Sequence, residues 1–233
     1  MSPRAAEEAL PEGSDKARVV QAMFDTVAPR YDLVNRIMTF GLDRRWRRVT
    51  VSSLCLPRGS RVVDLACGTG DLCVDLQRAG IAAIGFDLSG GMLSAAHTTA
   101  PLVRADVVSL PLPDSSVDGA TCGFALRNLV DLRLFLDELA RIVRPGGRIG
   151  LLEVAEPANA VLRAGHHLYF SRVVPRIGAA LSDGRAYRYL PRSVAYLPEV
   201  DTLVREVAAA GFRDVIRQTM SGGVVQLLVG TRS

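Results

Sequence analysis

A chain of 233 residues that is 48% hydrophobic and 22% charged carries enough apolar surface for one sizeable α/β domain and excludes global disorder. No apolar run approaches the roughly 20 residues needed to cross a bilayer, and no charged-then-apolar leader opens the chain, so it reads as soluble and cytoplasmic. The net charge of +4 and pI near 9.1 permit a nucleic-acid partner, but the basic residues are scattered apart from RRWRR at 44–48 and no RNA-binding module accompanies them, so none is expected.

Residues 1–14, rich in Glu, Pro, Gly and Ala, read as a disordered tail. From Asp15 the spacing of Val19, Val20, Met23, Phe24 and Val27 is helical; Pro29 interrupts it, and a second and third helix follow on either side of Gly41. The pattern then changes. RVVDLA is a short buried-type strand, DLCVDLQRAG a helix and IAAIGFD a second strand. SGGMLSAAHTTA is expected as a helix, LVRAD as a strand, VDGATCGFAL as a strand, DLRLFLDELARIV as an amphipathic helix and RIGLLEVA as another strand. Such alternation predicts a doubly wound, mostly parallel sheet with helices on both faces. Residues 158–198 interrupt it with apolar, aromatic and arginine-rich sequence, a candidate lid over a substrate groove or a helical cap packed on the core. The helix EVDTLVREVAAAG comes next, and FRDVIRQTM and GGVVQLLVG close the chain as an antiparallel strand pair turning at Ser221-Gly222-Gly223. With no repeat or low-complexity linker, residues 1–233 read as a single domain.

The stretch VVDLACGTGDL at 62–72 ends the first strand and opens a helix, the place where doubly wound sheets bind ligands. Gly68 and Gly70 let a ligand approach the backbone closely, although a plain glycine turn would look the same. A dinucleotide fingerprint would need a third glycine where Cys73 stands, and Asp71 at the helix start would repel a phosphate. With Asp64 on the other side, the acids suit a ligand carrying an ammonium or sulfonium group, and S-adenosyl-L-methionine carries both. Asp87, about 20 residues beyond the glycines at the end of the second strand, is placed to bond ribose hydroxyls. Asp106, followed by Val107, ends the third strand and could meet an adenine amino group. The four cysteines, Cys55, Cys67, Cys73 and Cys122, lack metal-ligand spacing and are read as reduced thiols. His97, His166 and His167 are read as surface or helix-face residues, and no metal is expected.

VVDLACGTGD, GFDLSGGML, RADVVSLPLPDSSVDGATCGFALRN and RIVRPGGRIGLLE resemble the successive motifs of class I S-adenosylmethionine-dependent methyltransferases. More narrowly, FDTVAPRYDLVNRIMTFGLDRRWRR, FALRNLVD, AYRYLPRSV and SGGVV resemble the ubiquinone/menaquinone biosynthesis C-methyltransferases, from about Val19 to Gly230. The resemblance implies C-methylation of a demethylated quinol ring, demethylmenaquinol favoured, with a polyprenyl tail and peripheral contact with a membrane. It implies cofactor contacts from Thr69, Asp87, Asp106 and Val107, and places Tyr31, Arg127 and Asn128 near the substrate ring. Two positions depart from the family pattern: Gly123 where a serine is usual, and Leu228 where a histidine is usual.

A ring carbon becomes nucleophilic when the adjacent hydroxyl loses its proton, and Tyr31, Arg127 and Asn128 could stabilise that phenolate. Arg127 is too weak a base to take the proton itself, so its role is electrostatic, including orienting a water that does. The alternatives are that Arg127 and Asn128 serve helix entry, with Asn128 capping the helix that starts near Asp131, and that Tyr31 is a core-edge tyrosine. A methyltransferase for another small phenolic or lipophilic substrate, and a non-enzymatic cofactor- or lipid-binding protein, remain as other readings.

Overall fold

The computed structural model of the protein describes residues 13–181, 189 and 192–233. The tail expected at 1–14 lies outside the described residues as far as residue 12, and helix α1 begins at Gly13 (Gly13–Val27). Pro29 sits in a 3₁₀ turn, Ala28–Arg30, and α2 (Tyr31–Met38) and α3 (Asp43–Ser53) complete the helical preface. Strands β1 (Arg61–Leu65), β2 (Ala82–Asp87), β3 (Leu102–Arg104), β4 (Val117–Gly123) and β5 (Val143–Val154) pair in parallel. Helices α4 (Asp71–Arg78), α5 (Gly90–Ser94) and α6 (Leu132–Ile142) lie between them in the chain. Beyond β5 come α7 (Ala160–Leu168), a π-helical turn (Tyr169–Val173), α8 (Val174–Leu181) and α9 (Val200–Ala209). Strands β6 (Phe212–Met220) and β7 (Val225–Arg232) then form the antiparallel pair.

The seven strands make one sheet in the order β3-β2-β1-β4-β5-β7-β6, as the alternation predicts. Alternate residues of a strand face opposite sides, so Val62 and Val63 feed different cores. Val63 and Leu65 pack with Phe135, Leu136 and Leu139 of α6 and Leu203 and Val207 of α9; Val62 packs with Val51 and Leu54 of α3 and Leu72 and Leu76 of α4. Strand order reverses where β2 and β4 flank β1, and the carboxyl ends of these three strands form the crevice that positions the site.

Two elements stop earlier than their sequence predicts. The helix expected over 89–100 ends at Ser94, because the Thr98 hydroxyl accepts from the Ala100 N–H (3.1 Å) and the His97 N–H donates to the Thr69 carbonyl (3.1 Å), which diverts the backbone from helix. Strand β4 ends at Gly123 because Phe124 adopts a left-handed conformation, φ 60°, which a bulky residue takes only under constraint.

The helical preface docks on α5, with Val27, Ala28 and Val34 packed round Met92. Asp25 accepts from the Ser89 hydroxyl (2.5 Å) and the Gly91 N–H (2.8 Å). A Cβ at Gly91 would stand 2.8 Å from the Asp25 Cα, so glycine is what lets α1 come this close. At the other end of α1, Lys16 donates to the Leu129 carbonyl (2.6 Å) and lies 3.7 Å from the centre of the Tyr196 ring.

Candidate active site

The loop from β1 to α4 turns sharply. Gly70 has φ 86°, and a Cβ there would lie 2.6 Å from Thr98 Cγ2. Gly68 donates its N–H to Asp87 Oδ2 (2.7 Å) while Ser89 donates to Asp87 Oδ1 (2.8 Å), so the loop and the end of β2 are tied through one carboxylate. Burial pushes the Asp87 carboxyl above its ordinary pKa, against the pull of those two N–H groups. Beside it opens a cleft of about 360 Å³, bordered by Gly68, Asp87, Asp106, Val107 and Asn128 and covered by Val20 and Phe24 of α1. Asp106 lies in a bend two residues past β3, its Oδ1 accepting from the Val108 N–H (3.2 Å). Among the described residues none of the side chains lining the cleft is basic, which disfavours a phosphate and suits a cationic ligand.

Two acids and a threonine expected at the ligand lie elsewhere or are already answered. Asp64 is buried beneath the loop, accepts from Thr121 Oγ1 (2.8 Å), is pushed up to about 7 by desolvation, and does not border the cleft. Thr69 spends its hydroxyl on Asp32 Oδ1 (2.7 Å) and does not border the cleft. Asp71 is held by Arg47 (2.9 Å) and His97 (3.1 Å). Arg47 also pairs with Asp43, and His97 lies 3.4 Å from Asp32. This chain of contacts joins α2 and α3 to the glycine loop and fastens the preface.

A second cavity, about 480 Å³ and mainly apolar, adjoins the cleft, and Tyr31 and Phe124 border both. Its walls include Met38, Trp46, Leu162, Tyr169 and Phe170, with Arg127 among its few polar groups. The strained turn at Phe124 sets its ring between the two spaces, 6.2 Å from Trp46 in an edge-on contact. Tyr31 lies edge-on to Phe24 at 5.9 Å, and burial raises the pKa of its hydroxyl above the ordinary value. Arg127 is fixed on three sides: Nη1 bonds the Phe124 carbonyl (2.7 Å) and Glu153, and Nε bonds Ser193 Oγ (3.2 Å). Glu153, fully buried, also accepts from the Arg127 N–H (3.2 Å). Sequence reasoning missed Glu153, although a lone acid inside the apolar run RIGLLEV is the signal that could have found it.

Asn128 differs from its expected place. It borders the cleft and not the apolar cavity, and both of its amide atoms are buried without a hydrogen-bond partner. It does not cap α6, whose N-cap is Asp131 accepting from the Leu134 N–H (3.0 Å). His166 lies on the face of α7, as expected, and borders the apolar cavity. Among the described residues no group of three or more His, Cys, Asp or Glu side chains is placed to hold a metal ion.

Residues 12–232 match the model of the ubiE/COQ5 methyltransferase family. The chain belongs to that family. Among relatives, a protein of Syntrophotalea carbinolica named ubiquinone/menaquinone biosynthesis C-methyltransferase UbiE is 40% identical over 220 residues, covering 91% of this chain and 93% of that protein. One of Deinococcus radiodurans named demethylmenaquinone methyltransferase is 39% identical over 228 residues, covering 94% of each. Solved structures share the fold at low identity. An S-adenosylmethionine-dependent methyltransferase of Thermotoga maritima gives a TM-score of 0.61 at 19% identity, covering 91% of this chain and 99% of that one. One of Mesorhizobium loti gives 0.55 at 20%, covering 78% and 95%.

Within the ubiE/COQ5 methyltransferase family, the two departures of this chain have different meanings. Leu228 is fully buried in the core and borders neither space. Gly123 borders the cleft, and a Cβ there would stand 2.9 Å from Leu72 Cδ1, so a serine would require Leu72 to rotate.

Proposed function

We infer that this chain is an S-adenosyl-L-methionine-dependent methyltransferase acting on a ring carbon of a demethylated quinol, demethylmenaquinol in preference to the benzoquinol. The observation that carries this reading is the meeting of an acid-lined cleft and an apolar cavity at Tyr31 and Phe124. The cleft residues fit the cofactor: Asp87 has carboxylate lone pairs left for ribose hydroxyls, Asp106 stands at the third strand, and the unpaired Asn128 amide offers both a donor and an acceptor. Gly68 and Val107 supply the close backbone approach and the apolar wall, whereas Gly70, expected beside them, does not border the cleft and serves the turn against Thr98. Bound there, S-adenosylmethionine supplies a methyl group already activated on a sulfonium. The protein's own work is to align the ring, exclude water and hold negative charge as it develops on the quinol oxygen. Arg127, pinned by Glu153 and Ser193, is a fixed cation at the cavity wall, and the Tyr31 hydroxyl stands where the two spaces meet.

The cavity mouth supports a polyprenyl tail and a membrane-facing rim. Phe40, Val161 and Leu162 line the cavity and are largely exposed, at 78%, 81% and 52%. The stretch 157–181 carries Arg163, Arg172 and Arg176 and no acid, which suits an anionic lipid surface. No helix of the described residues is long and apolar enough to cross a membrane. Residues 160–181 supply part of the cavity wall expected of a lid, and 182–188, 190 and 191 of that segment lie outside the described residues.

The test is turnover of tailed and tail-less demethylmenaquinol and demethylated benzoquinol with S-adenosylmethionine, with products read by mass. A gain of one methyl on the naphthoquinol, with the tailed form at lower KM, is expected. Calorimetric binding of the cofactor with no product from either quinol would move the assignment to another phenolic substrate.

A further inference from the structure

The reaction proposed above releases one proton per methyl transferred, and Arg127 cannot take it. The apolar cavity holds one imidazole, that of His166 on α7. Its Nε2 is buried and has no hydrogen-bond partner, and its ring lies 4.4 Å from that of Phe170, tilted by 42°. A buried polar atom left unpaired in a cavity wall carries a desolvation penalty that a ligand hydroxyl would relieve. His166 also borders a second surface groove, of about 650 Å³, that reaches Glu156 and His167, so its ring stands between the cavity and solvent.

The placement relative to Arg127 follows from chain neighbours. Val154 and Val194 line the cavity, while the residues just before them, Glu153 and Ser193, are the ones that hold Arg127. Val194 borders the groove beside His166 as well. The imidazole and the guanidinium thus both border the cavity, with Val194 next to Ser193 in the chain and next to His166 in the groove.

We propose that His166 Nε2 is the base that takes the hydroxyl proton of the quinol, a role that rests on the quinol reading above. The O–H bond breaks, its proton passes to Nε2 and its electron pair stays on oxygen, where Arg127 faces it. The adjacent ring carbon gains the methyl as the donor leaves as a neutral thioether. His166 returns its proton to the oxygen and then takes the proton that this carbon loses as the ring regains aromaticity, so one proton per turnover departs through the groove. Nε2 can accept only if the ring's own proton sits on Nδ1. Burial lowers the pKa of His166 below its ordinary value, so the neutral form that accepts a proton predominates at neutral pH. Across the groove Glu156 opposes that shift and His167 adds to it, with Arg163 and Arg172 along the rim. On the cavity side the charged groups are Arg127 and the Asp43–Arg47 pair, with the Tyr31 and Tyr169 hydroxyls beside them.

The experiment uses the full chain, S-adenosylmethionine and chemically reduced demethylmenaquinol in single turnover. His166→Gln, which can hydrogen-bond but cannot take a proton, should slow methylation at pH 7 by about 100-fold or more while leaving calorimetric cofactor affinity unchanged. The deficit should narrow as pH approaches the ionisation of the phenol, and added imidazole should partly restore His166→Ala. Rates like wild type in both variants, or a loss that is equal at every pH and not rescued, would overturn the proposal. A second arm needs no turnover: the ¹⁵N resonance of His166 Nε2 should move on adding 1-naphthol and not on adding 1-methoxynaphthalene, and an unmoved resonance under saturating naphthol overturns it too. If wild type methylates neither quinol, the substrate reading fails and the naphthol arm still decides His166.

Discussion

Replacing Glu153 by Gln removes one charge of a buried pair and keeps the side chain's shape. Glu153 is fully buried and the Arg127 side chain is 6% exposed, so the guanidinium left behind has little access to water. The carboxylate also accepts from the Arg127 N–H (3.2 Å) and the Val154 N–H (2.8 Å), bonds that a glutamine carbonyl can satisfy only in part. Breaking a buried pair from one side costs about 3–5 kcal/mol. In a chain of this size each kcal/mol moves Tm by about 2–4 °C, so the variant should melt roughly 6–20 °C below wild type. Urea denaturation followed by far-ultraviolet circular dichroism measures the loss. The double variant Arg127→Gln with Glu153→Gln closes the cycle and should be more stable than the sum of the single losses, since neither charge is then stranded. Methylation should stay lost in the double variant. A Glu153→Gln protein within about 0.5 kcal/mol of wild type would refute the premise that this carboxylate is what lets Arg127 stand in the cavity wall.

Asn128→Leu should keep or raise stability, because it removes two unpaired buried polar atoms, while weakening calorimetric binding of S-adenosylmethionine by about 1–3 kcal/mol; unaltered affinity would exclude Asn128 from the cofactor site. Asp64 is held at about 7 in the folded protein against an ordinary value of 3.8, so between those values the folded state keeps a proton that the unfolded chain has lost. Stability should therefore fall as pH rises through that window, by about 1.4 kcal/mol per pKa unit at most, and level off above it. Asp64→Asn should lack this slope in urea denaturation at pH 5 and pH 8, and equal slopes in both proteins would count against it. Gly70→Ala should destabilise by about 1–3 kcal/mol through its φ of 86° and its contact with Thr98. Thr98→Ser, which removes the methyl 2.6 Å away, should recover part of that loss in the same denaturation assay, and no recovery would locate the strain in φ alone.

What was legible in the sequence was local. Hydrophobic period, glycines and strand-end acids gave the alternating fold, the glycine loop and Asp87, because each is written within a few adjacent residues. The strand through Val143–Val154 was harder to bound: RIGLLEVA marks it from Arg148, while Val143 already pairs with Val117 and the residues between form an irregularity in the ladder. The misplacements of Asp64, Thr69 and Asn128 share a cause: strand ends point alternately into a crevice and under it, and the side taken by a loop residue depends on partners such as Thr121 and Asp32 that lie 57 and 37 residues away. Glu153, Ser193 and His166 gained their significance only when β5, the segment after α8, and α7 met round one cavity. No periodicity records such a meeting.

The stretch from Ser193 to Tyr196 touches both halves of the site, with Val194 lining the apolar cavity. Ser193 steadies the arginine on the substrate side, and Tyr196 lies against Lys16, which pins the helix roofing the cofactor cleft. The same four residues thus form a splice between two closures. Val20 and Phe24 of α1 line the cleft, and Lys16 of the same helix lies on Tyr196. One short stretch thus ties the helix over the cleft to the arginine of the cavity wall.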